Sequence, residues 1–149
     1  MALYEFAYSS YPLPPSPPFP IGHTAYRPIV VVHLRAPATG QLVTCTAVPD
    51  SGADQCVFPL SFAAALGLDT LKMQMDLVGG VGSTNTTYFE PLEIEIDISV
   101  PNAKIGFKTL AGFTAGLDPI GMGLLGQSGF FEAFQVMFDL KSKRFYIQG

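Results

Sequence analysis

The sequence predicts an all-β domain with one or two short helices, and three stretches carry that prediction. Residues 92–100, LEIEIDISV, alternate apolar and polar side chains without a break, as in an antiparallel strand with one buried face. The β-branched run PIVVVHL and the run QLVTCTAV flank a turn that contains Pro37 and Gly40. Near the end of the chain, FQVMFDL and RFYIQG are two further strands joined by the charged turn KSK.

The remaining elements follow in chain order around these strands. Residues 1–24 are a proline-rich N-terminal extension, and YPLPPSPPFP within it cannot form a helix or a central strand because proline has no N–H donor. We expect an extended tether there; a ligand for a proline-recognising domain is the alternative. The main domain then covers residues 25–149. LSFAAALG predicts one short helix ending at Gly67, and a second is expected between Ser128 and Phe134.

Composition limits the classes of partner. The 149 residues suffice for one domain with its own core. Hydrophobic residues make up 48% and charged residues 13%, and the mean hydropathy of +0.34 indicates that some apolar surface is buried against a partner. A net charge of −4 without a basic run gives no support for nucleic-acid binding. No apolar run is long enough to cross a bilayer, so we expect no membrane association.

The first residues of the chain and the number of cysteines bear on the cellular compartment of the protein. MALYEFAYSS has no basic segment and carries Glu5, so we expect no signal peptide and a cytoplasmic protein. Cys45 and Cys56 are too few for a disulfide framework and are interpreted as small buried thiols. His23 and His33 show no ligand spacing with these cysteines, so no zinc site is predicted.

The stretch VPDSGADQCVFP, residues 48–59, places two acids between apolar strands. Asp50 comes at a strand end, where a side chain can face a cleft, and Gly52 permits a tight backbone turn. An ordinary Asx-type turn would use the same residues. A nucleophile elbow is not indicated, because Pro49 and Ala53 stand where G-x-S-x-G requires glycine.

Two glycine-containing segments follow. Leu77–Ser83, LVGGVGS, has the composition of the tip of a long hairpin, and no Gly-Lys-Ser/Thr follows to suggest a phosphate loop. Gly123–Phe131, GLLGQSGFF, fits core residues followed by the start of a helix.

In this order the three motifs resemble those of the retropepsin-like aspartic proteases, the family of retroviral proteases and their cellular relatives. Asp50–Asp54 resembles the D-T/S-G-A-D active-site loop, Leu77–Ser83 the glycine-rich flap, and Leu124–Gly126 the hydrophobic-hydrophobic-glycine segment before the C-terminal helix. The similarity extends from about Pro28 to the C-terminus. It implies a closed acid-protease β-barrel with one or two short helices and a flap hairpin.

The resemblance also implies an activity. Aspartic proteases hydrolyse peptide bonds with a water held between two carboxylates that share one proton. This chain has one D-S-G, so the resemblance implies a homodimer in which each copy donates one Asp50. Ser51 would bond the opposite loop, and the Gly52 carbonyl would bond the substrate backbone. Neither a cofactor nor a metal is implied.

Further site residues are carried over from the family's flap and cleft floor. The flap would close over an extended peptide, with the Val81 N–H as donor to a bridging water, while Val57 and Phe58 would form apolar side-chain pockets. The implied substrate-binding residues are Ala53, Asp54, Val57, Phe58, Val78, Gly79, Gly80, Val81 and Gly82.

The chain departs from the family pattern at two positions. Pro49 precedes Asp50, where the family usually has an apolar residue with a free N–H. Gln127 stands where retroviral members have an Arg that pairs with the acid matching Asp54, so that ion pair is absent. Retroviral dimers interleave their chain ends in one sheet, and both ends here, ALYEFAY and RFYIQG, are strand-capable.

Three functions are therefore open. The first is a homodimeric aspartic endopeptidase acting on peptides or proteins at acidic to neutral pH. The second is an inactive module of the same fold that binds extended peptides or a protein partner. The third is a hydrolase that holds a metal at Asp50 and Asp54.

Overall fold

The computed structural model describes residues 2–80 and 83–149. Within them the strands are β1 (Leu3–Ala7), β2 (Ser9–Leu13), β3 (His23–Arg27), β4 (Val30–Arg35), β5 (Leu42–Pro49), β6 (Val57–Pro59), β7 (Gln74–Gly80), β8 (Ser83–Asp97), β9 (Lys104–Thr114), β10 (Gly123–Leu125), β11 (Gln135–Asp139) and β12 (Arg144–Gln148). The helices are α1 (Leu60–Ala65) and α2 (Phe130–Ala133), and single 3₁₀ turns span Thr70–Lys72 and Ala115–Leu117.

The main sheet closes on itself. Its strand order is β4-β5-β10-β6-β9-β8-β7, and β4 also pairs with β8, so the first six strands form a closed barrel. β7 lies outside the barrel as an antiparallel partner of β8, with a register that runs from Gln74 opposite Phe89 to Gly80 opposite Ser83. The prediction of an all-β closed barrel with short helices is confirmed.

The alternating stretch shows why the barrel forms. Leu92, Ile94 and Ile96 on β8 are almost fully buried, while Glu93 turns outward and bonds Arg35 on the neighbouring β4 at 3.0 Å. Burial of three branched side chains on one face fixes the register, because a shift of one residue would expose all of them. The prediction extended this strand to residue 100, but β8 ends at Asp97, ahead of a turn in which Asn102 has φ of 60°.

The short helices agree with the prediction. α1 ends before Gly67, whose φ of +73° is the left-handed conformation that favours glycine after a helix. α2 lies within the predicted interval, and its Phe130 is fully buried in the core.

The N-terminal extension is not a free tether. β2 and β3 form an antiparallel hairpin with Ser9 opposite Arg27, and Ser16 and Phe19 exchange backbone hydrogen bonds in the loop between these strands. Pro12 is accommodated because half of the N–H groups in a two-stranded sheet face solvent. The proline content therefore gave the wrong expectation for this segment.

The two chain ends pair within one chain. β12 lies between β1 and β11 in a separate three-stranded antiparallel sheet, and its Phe145 and Ile147 are fully buried against the barrel. Neither helix of the described part of the chain has the length and apolar character that a membrane crossing needs.

Candidate active site

Asp50 lies where two parallel strands end. β5 and β10 run side by side with Pro49 opposite Leu125, and the Asp50 N–H donates to the Leu125 carbonyl at 2.9 Å. Pro49 is buried and has no N–H to donate. The hydrogen bond between β5 and β10 is made by the N–H of the next residue, Asp50, instead. This departure from the family pattern leaves the Asp50 backbone anchored.

The turn after Asp50 orients its carboxylate. The Gly52 N–H donates to Asp50 Oδ1 at 2.9 Å, and the Ala53 N–H donates to the Asp50 carbonyl at 3.1 Å. Asp50 is half-buried, whereas Ser51 and Gly52 are exposed at the tip of the turn. One carboxylate oxygen is thus fixed by the backbone, which leaves the other to accept a proton or a water hydrogen bond.

A second segment, Gly126–Ser128, supports this turn from the other side. The backbone N–H of Gln127 donates to the Ala53 carbonyl at 2.8 Å, and that of Ser128 donates to the Asp54 carbonyl at 2.9 Å. The Gln127 side-chain amide donates to the Ser51 carbonyl at 2.8 Å. Gln127 therefore does not replace the family's ion pair with the acid at Asp54; it holds the backbone of the turn instead.

Cys56 lies below this support. Its side chain is fully buried, and its Sγ accepts from the Gly126 N–H at 3.4 Å. Burial raises the pKa of the Cys56 thiol, and burial also raises that of Cys45 to about 12. Both cysteines are free thiols kept in the neutral form. The prediction of buried thiols is confirmed for Cys56, whereas Cys45 is half-buried.

A cleft of about 440 Å³ opens beside Asp50. It lies between the Asp50 turn and the β7–β8 hairpin, and strand ends form its floor. Its lining consists of Asp50, Gly52, Ala53, Asp54, Gln55, Val57, Val78, Gly79, Asn85, Thr87, Thr114, Leu117 and Leu124.

The structure brings most of the predicted site residues together here. Those that line the cleft are Asp50, Gly52, Ala53, Asp54, Val57, Val78 and Gly79. Ser51 lies on the exposed tip beside it, and Gly80 ends β7, opposite Ser83. Val81 and Gly82 lie outside the described residues.

Phe58 is a correction. Side chains alternate along β6, so Val57 faces the cleft while Phe58 points to the opposite face. Phe58 is fully buried, with its ring centroid 6.2 Å from that of Phe113. It belongs to the core and forms no side-chain pocket of the cleft.

Sequence reasoning missed several lining residues. They are Gln55, Asn85, Thr87, Thr114, Leu117 and Leu124. Thr87 on β8 lies opposite Thr114 on β9, and the two residues are 1% and 6% exposed. They therefore place two hydroxyl groups in the buried floor of the cleft. A polar residue at a buried strand position was the available signal for both, but only the β8–β9 pairing shows that they meet.

The cleft offers few side chains that could bind a metal ion. Within residues 2–80 and 83–149, no group of three or more His, Cys, Asp or Glu side chains is arranged to hold a metal ion. Asp50 and Asp54 contribute two carboxylates to the cleft, and the other described lining residues are amides, hydroxyls and apolar groups.

Comparison with known proteins identifies the class of fold. No family model and no curated protein matches the chain. Among solved structures, the fold is similar to that of a retropepsin-like aspartic protease from Rickettsia conorii, with a TM-score of 0.51 and 14% sequence identity over 93% of this chain and 98% of that one. The chain therefore has a retropepsin-like acid-protease fold. At 14% identity the likeness concerns the fold alone.

Proposed function

We propose that this protein is an aspartic endopeptidase whose active site forms between two copies of the chain, each contributing Asp50. The observation that carries the proposal is the position of Asp50: it is half-buried, fixed by the Gly52 N–H, and beside a cleft large enough for peptide side chains. On a retropepsin-like fold this position matches the D-S-G motif, and only one such motif is present in the sequence.

Two Asp50 carboxylates brought together would act as one unit. Like charges at close range cannot both ionise easily, so one proton is shared between them. The ionised carboxylate accepts a proton from the bound water as that water attacks the peptide carbonyl carbon, and the protonated one donates a hydrogen bond to the carbonyl oxygen. The proton taken from the water then passes to the amide nitrogen as the carbon–nitrogen bond breaks, which releases the amine and the new carboxyl group. Because the Gly52 N–H holds Oδ1, each carboxylate keeps its orientation during this exchange.

The cleft would take an extended peptide. Val57, Val78, Leu117 and Leu124 offer apolar contacts, which favours hydrophobic side chains near the cleaved bond. Val78 and Gly79 of the β7–β8 hairpin line the cleft, and closure of this hairpin as a flap would exclude water from the reacting carbonyl. Such a peptide would present its backbone much as an added strand does.

The decisive test is Asp50→Asn with a matched control. Asp69→Asn makes the same chemical change at an exposed residue whose side chain accepts from the Leu71 N–H, a bond that asparagine can also accept. Hydrolysis of a library of extended fluorogenic peptides would be measured from about pH 4 to about pH 7, with a chelator present. We expect Asp69→Asn to match wild type and Asp50→Asn to lose all turnover while keeping its circular dichroism spectrum. Turnover by Asp50→Asn would refute the proposal, and loss of wild-type activity in chelator would favour the metal-dependent alternative.

A peptide-binding module without turnover is the second candidate. The observation that favours it is the Asp50 turn itself, which is already satisfied as an ordinary Asx-type turn within one chain. This candidate predicts a strict monomer at high concentration that binds apolar extended peptides without cleaving them. Sedimentation analysis and fluorescence anisotropy with the same peptides separate it from the enzyme.

A further inference from the structure

The C-terminal sheet is closed within one chain, which limits where a second copy can join it. β12 is bonded on both edges, with Ile147 opposite Tyr4 of β1 on one side and opposite Val136 of β11 on the other. Chain ends interleaved between two copies would need a free edge of β12. In this chain only the outer strands of the sheet, β1 and β11, can accept a partner strand.

The β11 edge has the properties of a contact surface. Met137 and Phe138 are 56% and 45% exposed, and Leu140 just beyond the strand is 52% exposed. The one charged residue of β11, Asp139, is its last, so residues 135–138 carry neither a charge nor a proline. An exposed apolar edge without such protection is a template for pairing with another strand.

The register of a self-paired strand distinguishes the two edges. When a strand pairs antiparallel with its own copy about a two-fold axis through its centre, the central residue lies opposite itself. For β11 that residue is Met137, and Val136 of each copy then lies opposite Phe138 of the other, a favourable pair of a β-branched and an aromatic side chain. For β1 the central residue is Glu5, so two like charges would meet.

The same segment of chain connects this edge to the catalytic turn. Gln127 holds the Ser51 carbonyl, α2 follows directly, and β11 begins at Gln135. The buried Phe130 fixes α2 in the core between these two points. A two-fold axis beside β11 would therefore lie at the end of the segment that supports Asp50.

We propose that two copies of this chain pair β11 with β11 antiparallel, centred on Met137, to form one six-stranded sheet. This interface rests on the proposed function, since an active site with one Asp50 per chain needs a two-fold partner. It differs from interleaved chain ends, because each copy completes its own three strands before the copies meet.

Disulfide trapping tests the register. Residues directly opposite in an antiparallel pair have Cα atoms about 4.5–5.5 Å apart, within disulfide range. Met137→Cys should give a covalent dimer under mild oxidation, whereas Glu5→Cys, at the centre of the competing edge, should give no more than wild type with its two native thiols. Cross-linking through position 5 in preference to position 137, or through neither, would overturn the proposal.

Sedimentation analysis supplies the second measurement. Met137→Asp would place two carboxylates opposite each other at the axis and should weaken dimerisation by about tenfold or more, whereas Met137→Leu should leave it unchanged. Met137 is more than half exposed, so both variants should fold, which circular dichroism verifies. An unchanged dissociation constant for Met137→Asp would contradict the proposed interface.

The two proposals fail in different ways. If position 137 cross-links and wild type hydrolyses no peptide, the interface stands and the endopeptidase is refuted. If hydrolysis requires Asp50 while changes at Met137 leave the dimer intact, the enzyme stands and the β11 interface is refuted.

Discussion

Gly126 offers the sharpest test of how the Asp50 turn is held in place. A Cβ added at Gly126 would lie 2.7 Å from the Ala53 carbonyl oxygen and would also contact the Gln55 carbonyl group. These neighbours are backbone atoms, so no side-chain rotation can relieve the contact. Gly126→Ala should therefore force the Asp50–Gln55 loop away from β10.

The expected cost follows from the bonds that this movement breaks. Overpacking in a close-packed site costs about 1–3 kcal/mol. Displacing the loop also stretches the bonds from the Gln127 N–H to Ala53 and from its side chain to Ser51, at about 1 kcal/mol each. A loss of about 3–5 kcal/mol in the free energy of unfolding should lower the urea midpoint by about 1–3 M.

Gly40→Ala is the control for this measurement. Gly40 has φ of +72°, and a Cβ added there would meet no heavy atom within 4 Å, so alanine should cost about 1–2 kcal/mol of backbone strain alone. Gly126 has no positive φ, and its cost comes from contact. In urea unfolding followed by circular dichroism, Gly126→Ala should therefore have a lower midpoint than Gly40→Ala. A midpoint for Gly126→Ala equal to or above that of the control would show that the Asp50–Gln55 loop moves at little cost. That result would refute the claim that Gly126 and Gln127 hold the Asp50 turn rigidly.

Four further outcomes are expected. Gln127→Ala removes an exposed hydrogen bond to the Ser51 carbonyl worth about 1 kcal/mol, so kcat should fall about fivefold with little change in KM, and an unchanged kcat would contradict its positioning role. Because burial raises the pKa of Cys45 to about 12 and also that of Cys56, neither thiol should be alkylated near pH 8 in the native protein, as mass spectrometry can verify. The unfolded thiols ionise near pH 8.5, so the free energy of unfolding should fall as the pH rises from about 8.5 towards 12, and a flat profile would argue against their burial. Asn85→Leu replaces an amide in the cleft lining, so peptide profiling should show a stronger preference for apolar side chains, through KM rather than kcat.

Much of the fold could be predicted because burial imposes a period on the sequence. The alternation from Leu92 to Ile96 identified β8 and its buried face correctly. The length of β8 was not predictable in the same way, since its first half, from Ser83, pairs with β7 as well as β9 and carries a run of polar residues. The alternation of apolar and polar residues predicts the buried half of such a strand. Where the other half begins depends on the strands that pair with it.

The candidate site was predictable where it is local in sequence. The Asp50 turn and the Leu124–Gly126 segment each carry a motif, and the structure places them in contact. Thr87 and Thr114 carry no motif, and they meet at the cleft only through the long-range pairing of β8 with β9. Phe58 was misplaced because a three-residue strand gives too few alternations to show which face is buried.

A short stretch of chain connects the site to the exposed edge of the C-terminal sheet. From β10 the chain passes Gly126 and Gln127, which hold the Asp50 turn, then α2, and then the exposed edge of β11. Because Phe130 is buried between them, we expect a shift of β11 to move the segment that bonds Ser51 and Ala53 as well. Pairing at β11 would therefore restrain the same backbone that orients Asp50, so that assembly of the dimer and preorganisation of the carboxylates would be one event. The hydrolysis rate per chain should therefore rise with protein concentration, because only the dimer would hold its two Asp50 carboxylates in position.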